Sequence, residues 1–200
     1  MKTTYHSEYH QLKSVFVKNV QNAFVSEKLL EEQWQELHYL RQPNFENSLK
    51  EYKNFEKAIQ KNGALIKEFL FDDKVSIDSI YCRDASIATN FGMIICNMGK
   101  SGRINEPAAQ MQTYKNHSIP ILGIIEAPGT IEGGDVAWLD EKTLAVGHTY
   151  RTNEEGIMQL KNMLKPKGIE VIVAELPHYK GTSDVFHLMS ILSPVDKDLA

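Results

Sequence analysis

The feature that most constrains the fold is an order of strand, helix and strand that recurs along the chain. Its three helix-to-strand joints, at Gly63, Ser118 and Gly168, fall about fifty residues apart, a spacing typical of repeat architectures. The helix before Gly63 carries apolar residues at helical intervals, and the helix before Gly168 begins with Asn153 as its cap. The sequence therefore predicts an α/β fold of about three strand-helix-strand modules.

The ends of this repeat define the expected domain. Two of the modules open with a predicted hairpin, one of which turns near Asn90 to Gly92. The closing stretch SDVFHLMSILSPVDKDLA resembles the opening strands of a further module, with no helix or closing strand after it. Because no Gly-, Ser- or Pro-rich linker splits the chain, we expect a single domain over residues 1–200 that is truncated at its C-terminus.

Composition and charge narrow the classes of function. The 200 residues carry a net charge of −4 and no block of Lys or Arg, which argues against nucleic acid as a partner. The N-terminus is polar and no apolar run reaches the length of a membrane span, so no membrane partner is expected and the cytoplasm is the expected location. Cys82 and Cys96 form no CxxC pair, which predicts two buried thiols and neither a disulfide nor a zinc site.

Three acidic residues are candidate site residues from their surroundings. Asp135 follows two glycines in IEGGDV, where the backbone can turn sharply or approach a ligand; the alternative is a tight turn in which Asp135 binds backbone amides. Asp78 and Asp84 have even spacing in IDSIYCRDAS, which places them on one face of a predicted extended segment. Two such carboxylates could hold a cation, and guanidinium is the natural match, although acids solvated at a strand end explain the spacing equally well.

Three histidines are candidates for a catalyst or a metal ligand. His187 lies in the apolar run VFHLMSIL, where it is either a core side chain or a general acid/base with a near-neutral pKa. His6 and His10 have helical ligand spacing but no third ligand nearby. We therefore predict no metal site.

Five motifs together resemble those of the guanidine-modifying superfamily, which contains dimethylarginine dimethylaminohydrolases, arginine deiminases and amidinotransferases. They are YCRDAS, SGR, IEGGDV, GHTYRTNEEG and VFHL, in the order and with the separations of that family. The resemblance runs from about Leu12 to the end of the chain. It implies a five-bladed α/β propeller, the pentein fold, of which this chain would supply about three modules.

The resemblance also implies a role for each site residue. Asp84 corresponds to the carboxylate that grips the substrate guanidinium, Asp135 to the carboxylate that supports the catalytic histidine or the guanidinium, and His187 to the general acid/base. Arg103 and Arg151 correspond to the arginines that bind the amino-acid carboxylate. Asp78 corresponds to an acidic residue near the amino-acid end of the substrate.

In the family, a cysteine thiolate attacks the guanidinium carbon, and water or an amine then releases the covalent intermediate. The implied function is hydrolysis of a C–N bond in arginine, methylarginine or a related guanidino or ureido compound, with a small-molecule substrate and no metal or organic cofactor. Neither Cys82 nor Cys96 matches the family nucleophile, so the 200-residue chain alone is expected to be inactive. Besides the substrate, the expected partner is a further copy of the chain in a homo-oligomer or a missing C-terminal segment.

Two departures leave the exact substrate open. Arg83-Asp84 is the deiminase-like form of a pair that is Glu-Asp in the dimethylarginine hydrolases. Met189 stands where deiminases and amidinotransferases usually carry an aspartate, two residues after the histidine. The alternatives to a hydrolase are an amidinotransferase, against which Met189 argues, and a non-catalytic module that binds arginine.

Overall fold

The computed structural model describes residues 5–177 and 186–200. Internal packing divides the chain into two compact units, one of residues 11–82 and the other of residues 83–200 together with residues 1–10. The single domain over residues 1–200 stays a prediction. Within the described residues, no helix is both long and apolar enough to cross a membrane.

The unit of residues 11–82 contains one module. Strands β1 (Ser14–Lys18) and β2 (Leu65–Phe69) pair in parallel, and the helices α1 (Val20–Ala23), α2 (Glu27–Gln33) and α3 (Phe45–Lys61) connect them. The side chain of Asn44 accepts a hydrogen bond from the backbone N–H of Asn47 at 2.9 Å and so caps α3. The segment 33–44, which has only a loose helical pattern, contains the end of α2 followed by turns.

The unit that contains residues 83–200 has two modules of the same design. The first consists of β3 (Ser86–Thr89), β4 (Gly92–Ile95), α4 (Glu106–Asn116) and β5 (Ile121–Ile124), and the second of β6 (Val136–Trp138), β7 (Thr143–His148), α5 (Glu154–Leu164) and β8 (Glu170–Glu175). In each, the first two strands form an antiparallel hairpin, and the third strand runs parallel to the second after the helix. The predicted α/β modules are thus confirmed, as is the cap of α5, where Asn153 accepts from the N–H of Gly156 at 2.8 Å.

The three predicted joints share one backbone conformation. Gly63, Ser118 and Gly168 have φ angles of 79°, 55° and 72°, the left-handed region in which helices commonly end. Glycine adopts this region without a steric penalty, whereas Ser118 adopts it at some cost. At each of the three joints that the sequence indicates, the helix therefore ends in the same left-handed conformation.

An apolar core joins the two modules of the larger unit. Side chains from both hairpins pack with one face of α5, and the innermost of them are fully buried: Ile94, Ile131, Leu144, Val146, Leu160 and Leu164. Because this core holds both hairpins together, it also fixes the turns that precede their first strands.

Two predicted strands are wrong. Residues Ile77–Ile80 form a 3₁₀ turn and residues 82–85 a further turn, so Asp78 and Asp84 do not lie on the face of a shared strand. Residues Leu188–Ser190 also form a 3₁₀ turn, while Val185 lies outside the described residues. Leu188 packs against Ala137, Ala145 and Leu176, so burial of Leu188 does not require a strand.

Candidate active site

Two acidic turns precede the two hairpins and touch each other. Asp84 lies in the turn before β3, and Asp135 ends the 3₁₀ turn Gly133–Asp135 before β6. The N–H of Gly133 donates to the carbonyl of Asp84 at 2.7 Å, and a Cβ on Gly133 would lie 2.2 Å from the Arg83 carbonyl oxygen. A Cβ on Gly134 would lie 2.7 Å from Asp84 Oδ1. The glycine pair is therefore what allows the two turns to approach.

Asp135 is completely buried, and both of its carboxylate oxygens have partners. Its Oδ2 accepts hydrogen bonds from the hydroxyls of Thr149 at 2.9 Å and Thr152 at 2.7 Å. Its Oδ1 accepts from the backbone N–H of Leu188 at 3.2 Å and lies 3.1 Å from His187 Nδ1. Asp135 therefore binds a backbone amide that is distant in sequence, that of Leu188, and not the amides of its own turn as the tight-turn alternative expects. It also lies within ion-pair distance of the histidine.

His187 lies between two carboxylates. Its Nε2 is 3.3 Å from Glu132 Oε2, opposite the contact of Nδ1 with Asp135, and a quarter of the side chain is exposed. Burial alone would lower the pKa of His187, but its contacts with Asp135 and Glu132 and the charges of Asp135 and Asp84 outweigh burial and raise it to about 10. The imidazole is therefore a cation at neutral pH.

Glu132 is a site residue that the sequence argument did not single out. It is completely buried, its Oε1 accepts from the N–H of Lys100 at 2.9 Å, and Arg151 Nη1 lies 3.3 Å from the same oxygen. Burial would raise the pKa of Glu132, but His187, Arg151 and the Lys100 amide hold it below its ordinary value. Its place directly before the glycine pair in IEGGDV is the signal that could have found it.

The two predicted carboxylate anchors have different surroundings. Arg103 has a side chain only 5% exposed, and it is bound to Glu106 and to Asp84 at 2.8 and 2.5 Å. Arg151 has a side chain 21% exposed and contacts Glu132. The substrate-binding role of both arginines stays a prediction.

Asp78 belongs to the unit of residues 11–82, where it is 2% exposed. Burial, with Tyr81 and Asp78 beside it, raises the pKa of Tyr39 above its usual range. The role of Asp78 near the amino-acid end of a substrate stays a prediction.

Both cysteines are free thiols. Cys96 is buried, as expected, and burial with the nearby charges of Asp84 and Glu132 raises the pKa of its thiol well above the ordinary value. Cys82 is only partly buried, lies in a turn, and its Sγ is 3.8 Å from the carbonyl oxygen of Phe16. Neither setting resembles that of an activated nucleophile.

Asp84, Glu132 and His187 converge, with donor and acceptor atoms within 4.8 Å of one another. The two buried carboxylates, Asp84 and Glu132, lie close together and favour a cationic ligand that presents several N–H groups. A guanidinium is such a ligand. The same set of atoms would also accept a divalent metal ion, so the expectation of no metal stays a prediction.

Comparison with protein-family models gives a match to the arginine deiminase family over residues 6–200. The dimethylarginine dimethylaminohydrolase of Pseudomonas aeruginosa is 27% identical over 138 residues, which are 69% of this chain and 54% of that protein. An arginine deiminase of Listeria innocua is 30% identical over 58% of this chain and 30% of its own length. The chain thus spans about half the length of the dimethylarginine hydrolase that it matches.

Solved structures show the same fold. The Pseudomonas aeruginosa dimethylarginine hydrolase in complex with citrulline superposes with a TM-score of 0.69 at 24% identity, over 89% of this chain and 64% of that one. An amidinotransferase from Microseira wollei superposes with a TM-score of 0.63 at 14% identity, over 92% of this chain and 64% of that one. The α/β architecture is therefore that of the guanidine-modifying superfamily, as the motifs indicate, and the chain belongs to the arginine deiminase family.

Proposed function

We propose that this chain carries the guanidinium-binding and acid–base groups of a hydrolase that cleaves a C–N bond of arginine, methylarginine or a related guanidino compound. The observation that carries the proposal is the convergence of Asp84, Glu132 and His187 within 4.8 Å. The curated relatives that are named dimethylarginine hydrolases and arginine deiminases support the same class of reaction.

The charges around Asp84, Glu132 and His187 favour a cationic ligand. Asp84 and Glu132 face the point where the three side chains converge, while Asp135 lies behind the histidine and Glu106 behind Arg103. Arg103, Arg151 and the imidazolium of His187 offset three of these four negative charges, which leaves one in excess. Because these carboxylates lie in a region of low dielectric, their attraction for a guanidinium is stronger than in water. Carboxylate oxygens accept the planar N–H groups in pairs, which also fixes the orientation of the ligand.

His187 has the position and charge of a general acid. As an imidazolium it is able to protonate an amine that leaves the guanidinium carbon, and as the resulting neutral base it is able to activate water. Asp135 and Glu132 stabilise the protonated form on opposite sides of the ring. The nucleophilic thiolate implied by the family reaction corresponds to neither Cys82 nor Cys96.

Arg151 is proposed to bind the carboxylate of the amino-acid substrate, because its side chain is partly exposed and its contact with Glu132 is long, at 3.3 Å. The three modules are proposed to be part of a five-bladed propeller, and the cytoplasm is the proposed location. Solved neighbours include a complex with citrulline and an adduct with S-methyl-L-thiocitrulline, which supports a guanidino or ureido amino acid as the ligand.

The first test is direct binding. Isothermal titration calorimetry of the chain with L-arginine is expected to give a measurable affinity, and Asp84→Asn is expected to weaken it by roughly tenfold or more, since a hydrogen bond to a charged group is lost. Asp198→Asn, which makes the same charge change at an exposed position, is the matched control. Equal affinities for the two variants would contradict the assignment of Asp84.

The second test is turnover in the protein encoded by the whole reading frame. Arginine, dimethylarginine and agmatine are supplied separately, and citrulline-type products are measured together with ammonia and dimethylamine. Release of ammonia would identify a deiminase and release of dimethylamine a dimethylarginine hydrolase. Arginine binding without any turnover would favour the non-catalytic module over the hydrolase.

A further inference from the structure

Thr152 is a fully buried threonine whose hydroxyl group has two partners. The hydroxyl donates to Asp135 Oδ2 at 2.7 Å and accepts from the backbone N–H of Glu132 at 3.1 Å. These partners belong to the two acidic residues whose carboxylates lie on opposite sides of the His187 ring. A single hydroxyl group therefore connects the residues on both sides of the histidine.

The orientation of the Asp135 carboxylate depends on this contact. Thr149 donates a second hydroxyl to the same Oδ2 at 2.9 Å, and two donors on one oxygen restrict the rotation of the carboxylate. The other oxygen, Oδ1, accepts from the N–H of Leu188 at 3.2 Å and lies 3.1 Å from His187 Nδ1. The hydroxyls bound to Oδ2 therefore determine where Oδ1 meets the histidine.

The segment that carries His187 is attached through the same carboxylate. Within the described residues, the 3₁₀ turn Leu188–Ser190 belongs to none of the three sheets. The turn is bound to the second module of its unit by the hydrogen bond from Leu188 to Asp135 and by the packing of the Leu188 side chain. A displacement of Asp135 would therefore displace the histidine as well.

We propose that Thr152 is a positioning residue of the site, whose hydroxyl holds Asp135 and the Glu132 backbone in place and so sets the two carboxylates on opposite sides of His187. The inference rests on the proposed function, which it deepens. Thr152 acts through Asp135 and Glu132, because its hydroxyl is occupied by these two partners. Loss of the hydroxyl removes both contacts at once from a buried position.

The alternative role for Thr152 is support of Arg151, which directly precedes it in the chain. The backbone N–H of Arg151, however, donates to the hydroxyl of Thr149 at 3.0 Å, as does the N–H of Thr152 itself. Thr149 thus holds the backbone of the turn that presents Arg151. The hydroxyl of Thr152 instead contacts the two acidic residues beside His187.

The first experiment compares two ligands that differ by one carboxylate. Affinities for L-arginine and for agmatine, its decarboxylated form, are measured by calorimetry with the wild-type chain, with Thr152→Val, which keeps the shape of the side chain, and with Thr152→Ser, which keeps the hydroxyl. We expect Thr152→Val to weaken both ligands by a similar factor, roughly tenfold, and Thr152→Ser to restore most of the affinity. Loss of affinity for arginine alone would overturn the proposal, because that result assigns Thr152 to the support of Arg151. Equal losses in the two variants, or no loss in Thr152→Val, would also overturn it.

Thr89→Val is a matched control. Thr89 is 2% exposed, and its hydroxyl likewise donates once, to the Gly92 carbonyl at 2.6 Å, and accepts once, from the Phe91 N–H at 3.0 Å. It lies at the end of β3 that is remote from Asp84. The substitution removes an equivalent pair of hydrogen bonds away from the site, so both affinities are expected to stay unchanged. A loss as large as that of Thr152→Val would indicate general destabilisation and would overturn the proposal.

A second readout does not depend on ligand binding. At neutral pH the NMR signal of His187 Nδ1–H, assigned with His187→Gln, is expected to shift in Thr152→Val and to keep its wild-type position in Thr152→Ser and Thr89→Val, since Nδ1 faces Asp135. An unshifted signal in Thr152→Val would overturn the proposal. If Thr152→Val does not fold, Thr149→Val removes the other hydroxyl from Oδ2, and an unshifted signal in that variant has the same consequence. A wild-type chain that binds neither ligand would instead reject the proposed function, while the NMR comparison still decides the role of Thr152.

Discussion

Replacement of Asp135 by asparagine tests the electrostatic design of the site. The pKa of His187 rises from 6.5 to about 10, and at roughly 1.4 kcal/mol per unit this corresponds to about 5 kcal/mol in favour of the imidazolium. Asp135 heads the contributions that raise the pKa, ahead of Glu132, and an adjacent opposite charge typically contributes one to three units. We therefore expect Asp135→Asn to lower the pKa of His187 by about one to two units.

The assay is an NMR titration of the imidazole in the wild-type chain, in Asp135→Asn and in the exposed control Asp198→Asn, with His187→Gln to assign the signal. The contribution of His187 to the free energy of unfolding should decrease in Asp135→Asn together with its pKa. Because the folded-state pKa is raised, His187 contributes stability that is fully present below pH 6.5 and is lost as the pH rises through about 10. Chemical unfolding should show a smaller loss over that window in Asp135→Asn. A wild-type His187 that titrates near 6.5, or equal pKa values in wild type and variant, would refute the reasoning.

Four further outcomes are expected. In the protein encoded by the whole reading frame, His187→Ala should abolish formation of citrulline-type product, and retained turnover would reject the acid/base role. Arg151→Ala should raise KM for arginine more than it lowers kcat, with exposed Arg41→Ala as the control, since an anchor contributes mainly to uniform binding. Leu160→Ala removes a fully buried core side chain and should lower the free energy of unfolding by about 2–5 kcal/mol, whereas Met158→Ala on the exposed face of the same helix should have a small effect, as measured in denaturant. Dialysis against a chelator should leave the calorimetric affinity for arginine unchanged if the site needs no metal.

Local signals in the sequence were sufficient to predict the modules. Asn153 caps its helix as expected, and the three helix ends at Gly63, Ser118 and Gly168 have the left-handed conformation. These features depend on interactions within a few residues, which a sequence pattern records directly. The hairpins were predictable for the same reason, because their strands and turns are adjacent in the chain.

Tertiary contacts explain where the sequence was misleading. The run VFHLMSIL has the composition of a strand, but the N–H of Leu188 is bound by Asp135 and the Leu188 side chain by the core near β6 and β7. A 3₁₀ turn satisfies both, so the segment does not need a strand partner. The contact of Glu106 with Arg103 gave no signal in the sequence, because an acidic residue in the first turn of a helix is ordinary and only the fold brings the two side chains together.

The buried charges of the site are paired before any ligand arrives, and this pairing has a consequence for the proposed reaction. Arg103 lies between Glu106 and Asp84, and His187 between Glu132 and Asp135. A bound guanidinium would bring a second cation close to His187, which disfavours the imidazolium and lowers its pKa from about 10 towards the physiological range. Since a general acid works best with a pKa near the operating pH, substrate binding itself would adjust His187 to its task. The same carboxylates that attract the substrate would thus also keep a proton on the histidine, which the proposed reaction needs for the leaving amine.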